Sequence, residues 1–402
     1  MKAFIAFGLL ILISLLGSRF LFKRKKVFNP LYYFILSGLL YIFLGVFLGK
    51  HYLNVLSPDV LKGLYPLISF GLGWIGFLFG FQLEVKYLRR FSRKFIALSF
   101  LQFLLVFLVV GASSSFVLRW IFPSQPLSIL YGLAVALGLL GTLSSPTLLN
   151  YASTRIPKKG DYYYLARFLV SVSGFWGIIG LAVISSFWHF PLLERIILGK
   201  GLILFLSLFL FAALFGFIFH FLTVKRVSEQ DLFVILLSAV FFGSGAAFYF
   251  NLPPLCVCMV MGIVFSNLTK RHEKIYPLLL SSEKPFYILF LILSGALWEP
   301  RFDDKIAILV GCLLILRPLG FSLPLRALGR LLDFSFLLPY RLGLCFLSPG
   351  GIAVAFAVSL KLMYAFPLAD TFVSVALLAI IITEFISPWT MKISLFALES
   401  ER

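Results

Sequence analysis

The sequence predicts an all-α, polytopic membrane protein with about 13 transmembrane helices. Hydrophobic residues make up 61% of the 402 residues and charged residues only 13%, and the mean hydropathy is +1.04. Apolar runs long enough to cross a bilayer recur along the whole chain. Because no polar stretch is long enough to form a separate soluble domain, we expect one transmembrane domain over residues 1–402.

The apolar runs give the candidate spans in order. Two of them, near 253–267 and 284–298, are short for a hydrocarbon core of about 30 Å. The predicted spans lie near 3–22, 31–49, 64–83, 95–118, 127–150, 162–188, 197–222, 230–249, 253–267, 284–298, 305–323, 338–360 and 371–391.

The distribution of charge predicts the orientation in the membrane. The net charge is +19, and the loops that follow odd-numbered spans carry more than twice as many Lys and Arg residues as the other loops. By the positive-inside rule, the N-terminus is outside and the C-terminus is cytoplasmic, in the cell (inner) membrane. The basic composition then needs no nucleic-acid partner. A basic block at 23–26 and the absence of a cleavage site indicate that the first span is retained.

Two of the predicted spans are interrupted by residues that break helices. The fifth span carries Ser-Ser-Pro-Thr at 144–147, and the twelfth carries Ser-Pro-Gly-Gly at 348–351. Proline leaves carbonyls of the preceding turn without a donor, and hydrocarbon tolerates such groups only where they face protein or a water-filled cavity. Interrupted spans at matching places in two halves are typical of the binding site of a secondary transporter.

A repeated spacing predicts internal symmetry. Gly80 and Glu84 end the third span, and Gly295 and Glu299 end the tenth with the same G-x-x-x-E spacing. The two broken spans are also seven spans apart, and an odd offset gives the two halves opposite orientations in the membrane. We therefore expect inverted repeats at about 1–190 and 228–395, joined by a linker helix at about 197–222.

These motifs, taken in order, resemble those of the monovalent cation:proton antiporter superfamily, which includes the sodium/hydrogen exchangers. The matching segments are Gly-Phe-Gln-Leu-Glu at 80–84, Ser-Ser-Pro-Thr at 144–147, Gly-Ile-Val-Phe-Ser-Asn at 262–267 followed by Glu283 and Pro285, Arg-Pro-Leu-Gly at 317–320, and Ser-Pro-Gly-Gly at 348–351. The resemblance implies the exchanger fold, with two broken crossing helices. It also implies antiport of a monovalent cation (Na⁺ or K⁺) against protons, and a homodimer.

The sequence departs from this family in the sixth span. The family carries an acidic pair there, and the spacing from the crossing helix places that pair at Ser173-Gly174. A serine cannot titrate in the physiological range. Of the sixteen acidic residues, only Glu384 lies well inside a predicted span and Glu84 lies at the end of one, so these two are the candidate proton carriers.

The predicted pathway consists mainly of hydroxyl side chains near the two breaks. Arg317 has two interpretations, because it can face a cavity near the site or extend its guanidinium to the cytoplasmic interface. The predicted pathway residues are Thr142, Ser144, Ser145, Thr147, Ser173, Ser348 and Arg317.

Three functional classes remain open from the sequence. The first is a cation:proton antiporter. The second is a degenerate relative without proton coupling, acting as an uncoupled permease, an anion carrier or an interaction partner. The third, a polytopic enzyme, is disfavoured because Asp303-Asp304 is the only acidic pair and the four histidines lie in loops or at span ends. We expect no enzyme activity, no cofactor and no metal site.

Overall fold

The computed structural model describes residues 2–20, 30–89, 91–153, 160–187, 198–223, 228–269, 271–334, 338–363 and 368–396, and every regular element in these ranges is a helix. The first nine helices are α1 (Lys2–Phe20), α2 (Pro30–Leu36), α3 (Leu40–Leu48), α4 (Pro58–Gly63), α5 (Tyr65–Gln82), α6 (Val85–Leu88), α7 (Arg93–Ile121), α8 (Leu127–Thr142) and α9 (Thr147–Ser153). The other nine are α10 (Asp161–Phe187), α11 (Leu198–Thr223), α12 (Glu229–Tyr249), α13 (Pro254–Leu268), α14 (His272–Leu297), α15 (Asp304–Ser322), α16 (Pro324–Leu331), α17 (Gly350–Met363) and α18 (Ala369–Met391). A 3₁₀ turn, Tyr340–Phe346, precedes α17, and a π-helical turn, Lys392–Phe396, follows α18.

The predicted count of thirteen spans is not confirmed. Within the described ranges, nine helical spans are long and apolar enough to cross a membrane, or ten when the 3₁₀ turn and α17 count as one bent span. The second predicted span is two helices, because the chain turns at Gly38, whose φ is +76°. Helix α13 has only 15 residues and is mostly buried among other helices. The basic block at 23–26 lies outside the described residues.

The tenth predicted span starts too late. Helix α14 begins at His272, about three turns before the predicted start near 284. It continues through Pro277 and Pro285, which lie inside the helix. The residues before 284 therefore belong to the same helix as the apolar run, and Glu283 is part of it.

The helices pack as two groups. The first bundle consists of α1, α3, α5, α11, α12, α13 and α14, and the second bundle consists of α7, α8, α10, α15, α17 and α18. Helices α5, α13 and α14 of the first bundle meet α17 of the second. Helix α2 precedes α3 in the chain but packs against α18. The candidate site lies where the two bundles meet.

Glycines allow two pairs of helices in the first bundle to touch backbone to backbone. A Cβ at Gly80 of α5 would collide with the backbone carbonyl of Met259 on α13. A Cβ at Gly295 of α14 would collide in the same way with the carbonyl of Ile42 on α3. The G-x-x-x-E spacing occurs at the ends of both α5 and α14. In each helix the glycine of this motif packs against a backbone carbonyl of a neighbouring helix. The inverted repeat and its boundaries stay a prediction.

Substitution of Gly80 by alanine should destabilise the first bundle. The new methyl group would meet a backbone carbonyl that cannot rotate away, and overpacking of this kind typically costs about 1–3 kcal/mol. We expect a lower midpoint of thermal unfolding in detergent. The matched control is Gly311→Ala on α15, where a Cβ would meet nothing within 4 Å. An unchanged midpoint for Gly80→Ala would contradict the close packing of α5 on α13.

Candidate functional site

Two helices break and cross in the second bundle. The first break lies between the end of α8 at Thr142 and the start of α9 at Thr147, and the second lies between the 3₁₀ turn and α17, which are bent by 60°. The two breaks touch directly, because the backbone N–H of Ser145 donates a 2.8 Å hydrogen bond to the carbonyl of Ser348. Gly350 has φ +62°, and a Cβ there would collide with the Ser145 side chain. The prediction of two broken crossing helices is confirmed.

Arg317 fixes the ends of the helical turns that lead into the crossing. Its side chain is buried, with 4% exposure, and its Nη2 donates to the carbonyl of Leu143 and, at 3.3 Å, to that of Phe346. These carbonyls have lost their helical partners because each helix stops there. The interpretation that Arg317 reaches the membrane interface is therefore wrong. Its cationic side chain satisfies backbone acceptors inside the protein.

Ser173 and Gly174 of α10 lie where the resemblance predicts the acidic pair. The Ser144 and Ser173 hydroxyls lie 2.7 Å apart, and Ser173 donates to the Val170 carbonyl at 2.8 Å. The Thr142 hydroxyl donates to the Leu139 carbonyl of its own helix at 2.7 Å. These hydroxyls satisfy one another and the backbone. At this point α10 therefore brings hydroxyl groups, and no titratable group, to the crossing.

Glu384 of α18 brings a carboxylate to the crossing. Its side chain is 1% exposed, and its two oxygens accept hydrogen bonds from two hydroxyls: Oε1 from Tyr33 at 2.7 Å and Oε2 from Ser348 at 2.8 Å. The Tyr33 and Ser348 oxygens are themselves 3.2 Å apart. Arg317 also interacts electrostatically with Glu384. A buried carboxylate requires such partners, because an isolated charge in an apolar interior is very costly.

A cavity of about 220 Å³ is lined both by Glu384 and by Gln82, which is exposed at one end of the protein where α5 ends. Its volume is sufficient for several water molecules. We call this end the basic end, because α5 ends there before Lys86 and Arg89, and α7 begins there at Arg93. The polar residues that line the cavity are Ser37, Gln82, Ser145, Thr147, Glu283, Lys284, Tyr287 and Glu384.

The structure brings only some of the predicted pathway residues to this cavity. Ser145 and Thr147 line it, and their hydroxyls are 2.8 Å apart. The Thr142, Ser144 and Ser173 hydroxyls are buried within the second bundle, and the Ser348 hydroxyl bonds Glu384. Glu84 is half-buried beyond the end of α5 and is not among the residues that line the cavity.

The sequence did not predict two residues of the site, Glu283, which lines the cavity, and Tyr33, which bonds Glu384. Glu283 lines the cavity, but it falls just before the predicted start of the tenth span. Tyr33 lies in an ordinary apolar run, and its partner Glu384 is 351 residues away in the sequence. No local pattern marks Tyr33 as part of a site, and Glu283 is marked only as part of a segment that resembles the family.

Polar contacts join the two bundles at the opposite end. Lys361 of α17 donates to the carbonyl of Leu297, at the end of α14, at 2.6 Å and to Asp370 at 2.8 Å. The Trp298 indole N–H donates to the Ser374 hydroxyl of α18 at 3.2 Å. These contacts hold α14 of the first bundle against α17 and α18 of the second. The opening at the basic end is thus accompanied by polar closure at the other end.

Comparison with known proteins gives one family and one fold. A family model described as "Sodium/hydrogen exchanger, transmembrane" matches residues 4–397. The fold is similar to the structure of the sodium proton antiporter MjNhaP1 from Methanocaldococcus jannaschii at pH 8, with a TM-score of 0.68 and 17% identity over 99% of each chain. No curated protein sequence matches the chain significantly. The family model identifies the relationship, and the solved structure supports the fold.

Replacement of Arg317 by methionine should destabilise the crossing. Two buried carbonyls would lose their donor, at about 1–3 kcal/mol each, and Glu384 would lose a nearby positive charge. We expect a clear drop in the thermal midpoint of the purified protein. Arg167→Met is the control, because Arg167 is exposed on α10. An Arg317→Met protein as stable as the control would show that these carbonyls do not depend on Arg317.

Proposed function

The chain belongs to the sodium/hydrogen exchanger family, and we propose that it exchanges Na⁺ or K⁺ for protons with Glu384 as the shared binding group. The observation that carries this proposal is the position of the Glu384 carboxylate, which lies at the crossing and lines the cavity from the basic end. An ionisable residue inside a membrane protein is by default a candidate for the transport pathway.

The coupling follows from the chemistry of one carboxylate. A carboxylate can hold a proton or coordinate a cation, and occupation by one excludes the other. Ser348, Ser145 and Thr147 have hydroxyl oxygens near Glu384 or on the same cavity that can replace part of the water shell of the cation. Carbonyls of unwound backbone are the usual further ligands in broken-helix sites. In this proposal Glu384 does the work that the acidic pair of the sixth span does elsewhere in the family.

The transport cycle needs the two bundles to move relative to each other. The basic end faces the cytoplasm in this proposal, because positively charged loops are retained there. The cavity then admits cytoplasmic ions to Glu384. An outward-open state requires the Lys361–Leu297 and Trp298–Ser374 contacts to separate. The homodimer that the family resemblance implies stays a prediction.

One of the alternatives is disfavoured by the surroundings of Arg317. An anion carrier would need free donors and space at this residue. Its Nη2 instead bonds two carbonyls, and the cavity beside it, lined by Leu313 and Thr383, has a volume of only about 10 Å³. An anion would therefore have no room beside Arg317, although the Arg317 Nε–H has no hydrogen-bond partner. The transport assay distinguishes the antiporter from the other two alternatives, an uncoupled permease and an interaction partner.

Replacement of Glu384 by glutamine should abolish cation-driven proton movement. An amide cannot titrate, so no proton is exchanged when a cation binds. The protein is reconstituted in liposomes that contain a pH dye, and Na⁺, K⁺ or Li⁺ is added across an imposed proton gradient. We expect a cation-evoked pH change with the native protein and only the protein-free background with Glu384→Gln.

The matched control is Glu299→Gln. Glu299 lies at the opposite end of the protein, where its carboxylate pairs with Lys50 on the surface. It should keep native exchange. Undiminished exchange by Glu384→Gln would exclude Glu384 as the shared group. A native protein that is folded and correctly oriented but silent with all three cations would instead favour the degenerate relative.

A further inference from the structure

The two hydroxyls on Glu384 come from different parts of the molecule. Ser348 lies at the break before α17, so it belongs to the same bundle as Glu384 on α18. Tyr33 lies on α2, which leads through Gly38 into α3 of the first bundle. Of the side-chain hydrogen bonds on the Glu384 carboxylate, the one from Tyr33 therefore connects the second bundle to the chain of the first.

Helix α2 holds the Tyr33 hydroxyl firmly at this place. Tyr33 is fully buried, and its ring lies 5.4 Å from that of Tyr151 at the end of α9. The next residue, Phe34, packs edge-on against Phe385 of α18 at 5.8 Å. The turn at Gly38, with φ +76°, separates α2 from α3. Helix α2 is therefore a short separate helix that sits over the carboxylate.

The strength of the Tyr33–Glu384 bond depends on what the carboxylate carries. Hydrogen bonds to an ionised carboxylate are roughly twice as strong as those between neutral groups. A proton on Glu384 removes this charge assistance. A cation on Glu384 competes for the same oxygen and turns the tyrosine hydroxyl away or makes its oxygen a ligand. The bond that ties α2, and through Gly38 the chain of the first bundle, to Glu384 is therefore strongest when Glu384 is ionised and empty.

We propose that Tyr33 is a positioning residue that enforces coupling by holding the empty carrier in the state open at the basic end. The inference rests on the proposed function of Glu384 and adds a second requirement for antiport. An antiporter leaks when its binding site, carrying neither ion, changes from open on one side of the membrane to open on the other. A cation can then cross without a returning proton. The Tyr33–Glu384 bond opposes this change while Glu384 is empty. Binding of a proton or a cation to Glu384 weakens the bond and allows the change.

Four other titratable or charged groups approach Glu384 or its cavity. Arg317 faces it from α15, and Tyr287 faces it from α14. Glu283, also on α14, lines the same cavity beside Lys284. The test therefore has to distinguish the effect of the Tyr33 hydroxyl from the effects of these neighbours. Removal of the single hydroxyl oxygen of Tyr33 does so, because it leaves the neighbours unchanged.

Tyr33→Phe removes the hydroxyl and keeps the ring packing. Cation efflux and proton uptake are measured together in liposomes, and their ratio reports the coupling. We expect the native protein to keep a fixed ratio, and Tyr33→Phe to raise cation efflux without proton uptake by about tenfold or more, the effect of losing one hydrogen bond to a charged group. A purely structural role would lower both fluxes and leave the ratio unchanged.

Tyr41→Phe is the matched control, because Tyr41 lies on α3 and its hydroxyl contacts Gly17 of α1, away from the crossing. It should keep the native ratio. A native ratio in Tyr33→Phe, with exchange abolished by Glu384→Gln, would overturn the role of Tyr33 and leave the proposed function intact. Undiminished exchange in Glu384→Gln would overturn both.

Hydrogen exchange of the α2 amides gives a second readout that does not require transport. Acidification should speed this exchange in the native protein by releasing Tyr33 from Glu384. In Tyr33→Phe the exchange should be fast at every pH, after correction for the intrinsic pH dependence of exchange. Equal exchange in the native and Tyr33→Phe proteins, or a native pH response retained by Glu384→Gln, would overturn the proposal even if no cation were transported.

Discussion

The structure of the crossing depends on one constraint, the need of unwound backbone to find hydrogen-bond partners away from water. Two helices stop in the interior of the second bundle, and each leaves carbonyl and amide groups without helical partners. The Ser145 amide and the Ser348 carbonyl satisfy each other, and Arg317 satisfies the carbonyls of Leu143 and Phe346. The breaks can therefore persist at a depth where open backbone would otherwise be very unfavourable. The polar atoms of the candidate site are available because this network holds the breaks open.

The same network accounts for the charges in this region. Arg317 brings a buried positive charge, and Glu384 brings a carboxylate close enough to interact with it. The attraction offsets part of the cost of removing both charges from water. Two hydroxyls and the Gly350 backbone N–H also bond the carboxylate. The crossing can thus keep an ionisable group although α10 presents only Ser173 and Gly174 where the resemblance predicts an acidic pair.

The sequence was sufficient for the fold class and for the two breaks. Long apolar runs and prolines next to small polar residues act locally, so they could be recognised without a structure. The number of spans could not be obtained in this way. The 15 residues of α13 are buried by neighbouring helices rather than matched to the bilayer, and the turn at Gly38 divides one predicted span into two helices. These features depend on tertiary packing.

The candidate site was only partly predictable for the same reason. Ser145, Thr147 and Ser348 lie at the breaks themselves, and Glu384 was notable as an acid in an apolar run. Tyr33 could not be predicted, because a tyrosine in an apolar helix has no distinctive pattern and its partner is remote in sequence. Glu283 was assigned to a loop because the prolines of α14 and its polar first turns concealed the start of the helix. Hydropathy locates apolar segments, but it does not show which polar residues meet.

The most direct test of the account is whether a cation displaces a proton from Glu384. Purified protein in weakly buffered detergent solution is titrated with Na⁺ or K⁺, and the protons released are measured with a pH electrode. The account predicts saturable proton release that approaches one proton per bound cation and is absent in Glu384→Gln. Cation binding without proton release by the native protein, or equal release by Glu384→Gln, would contradict it.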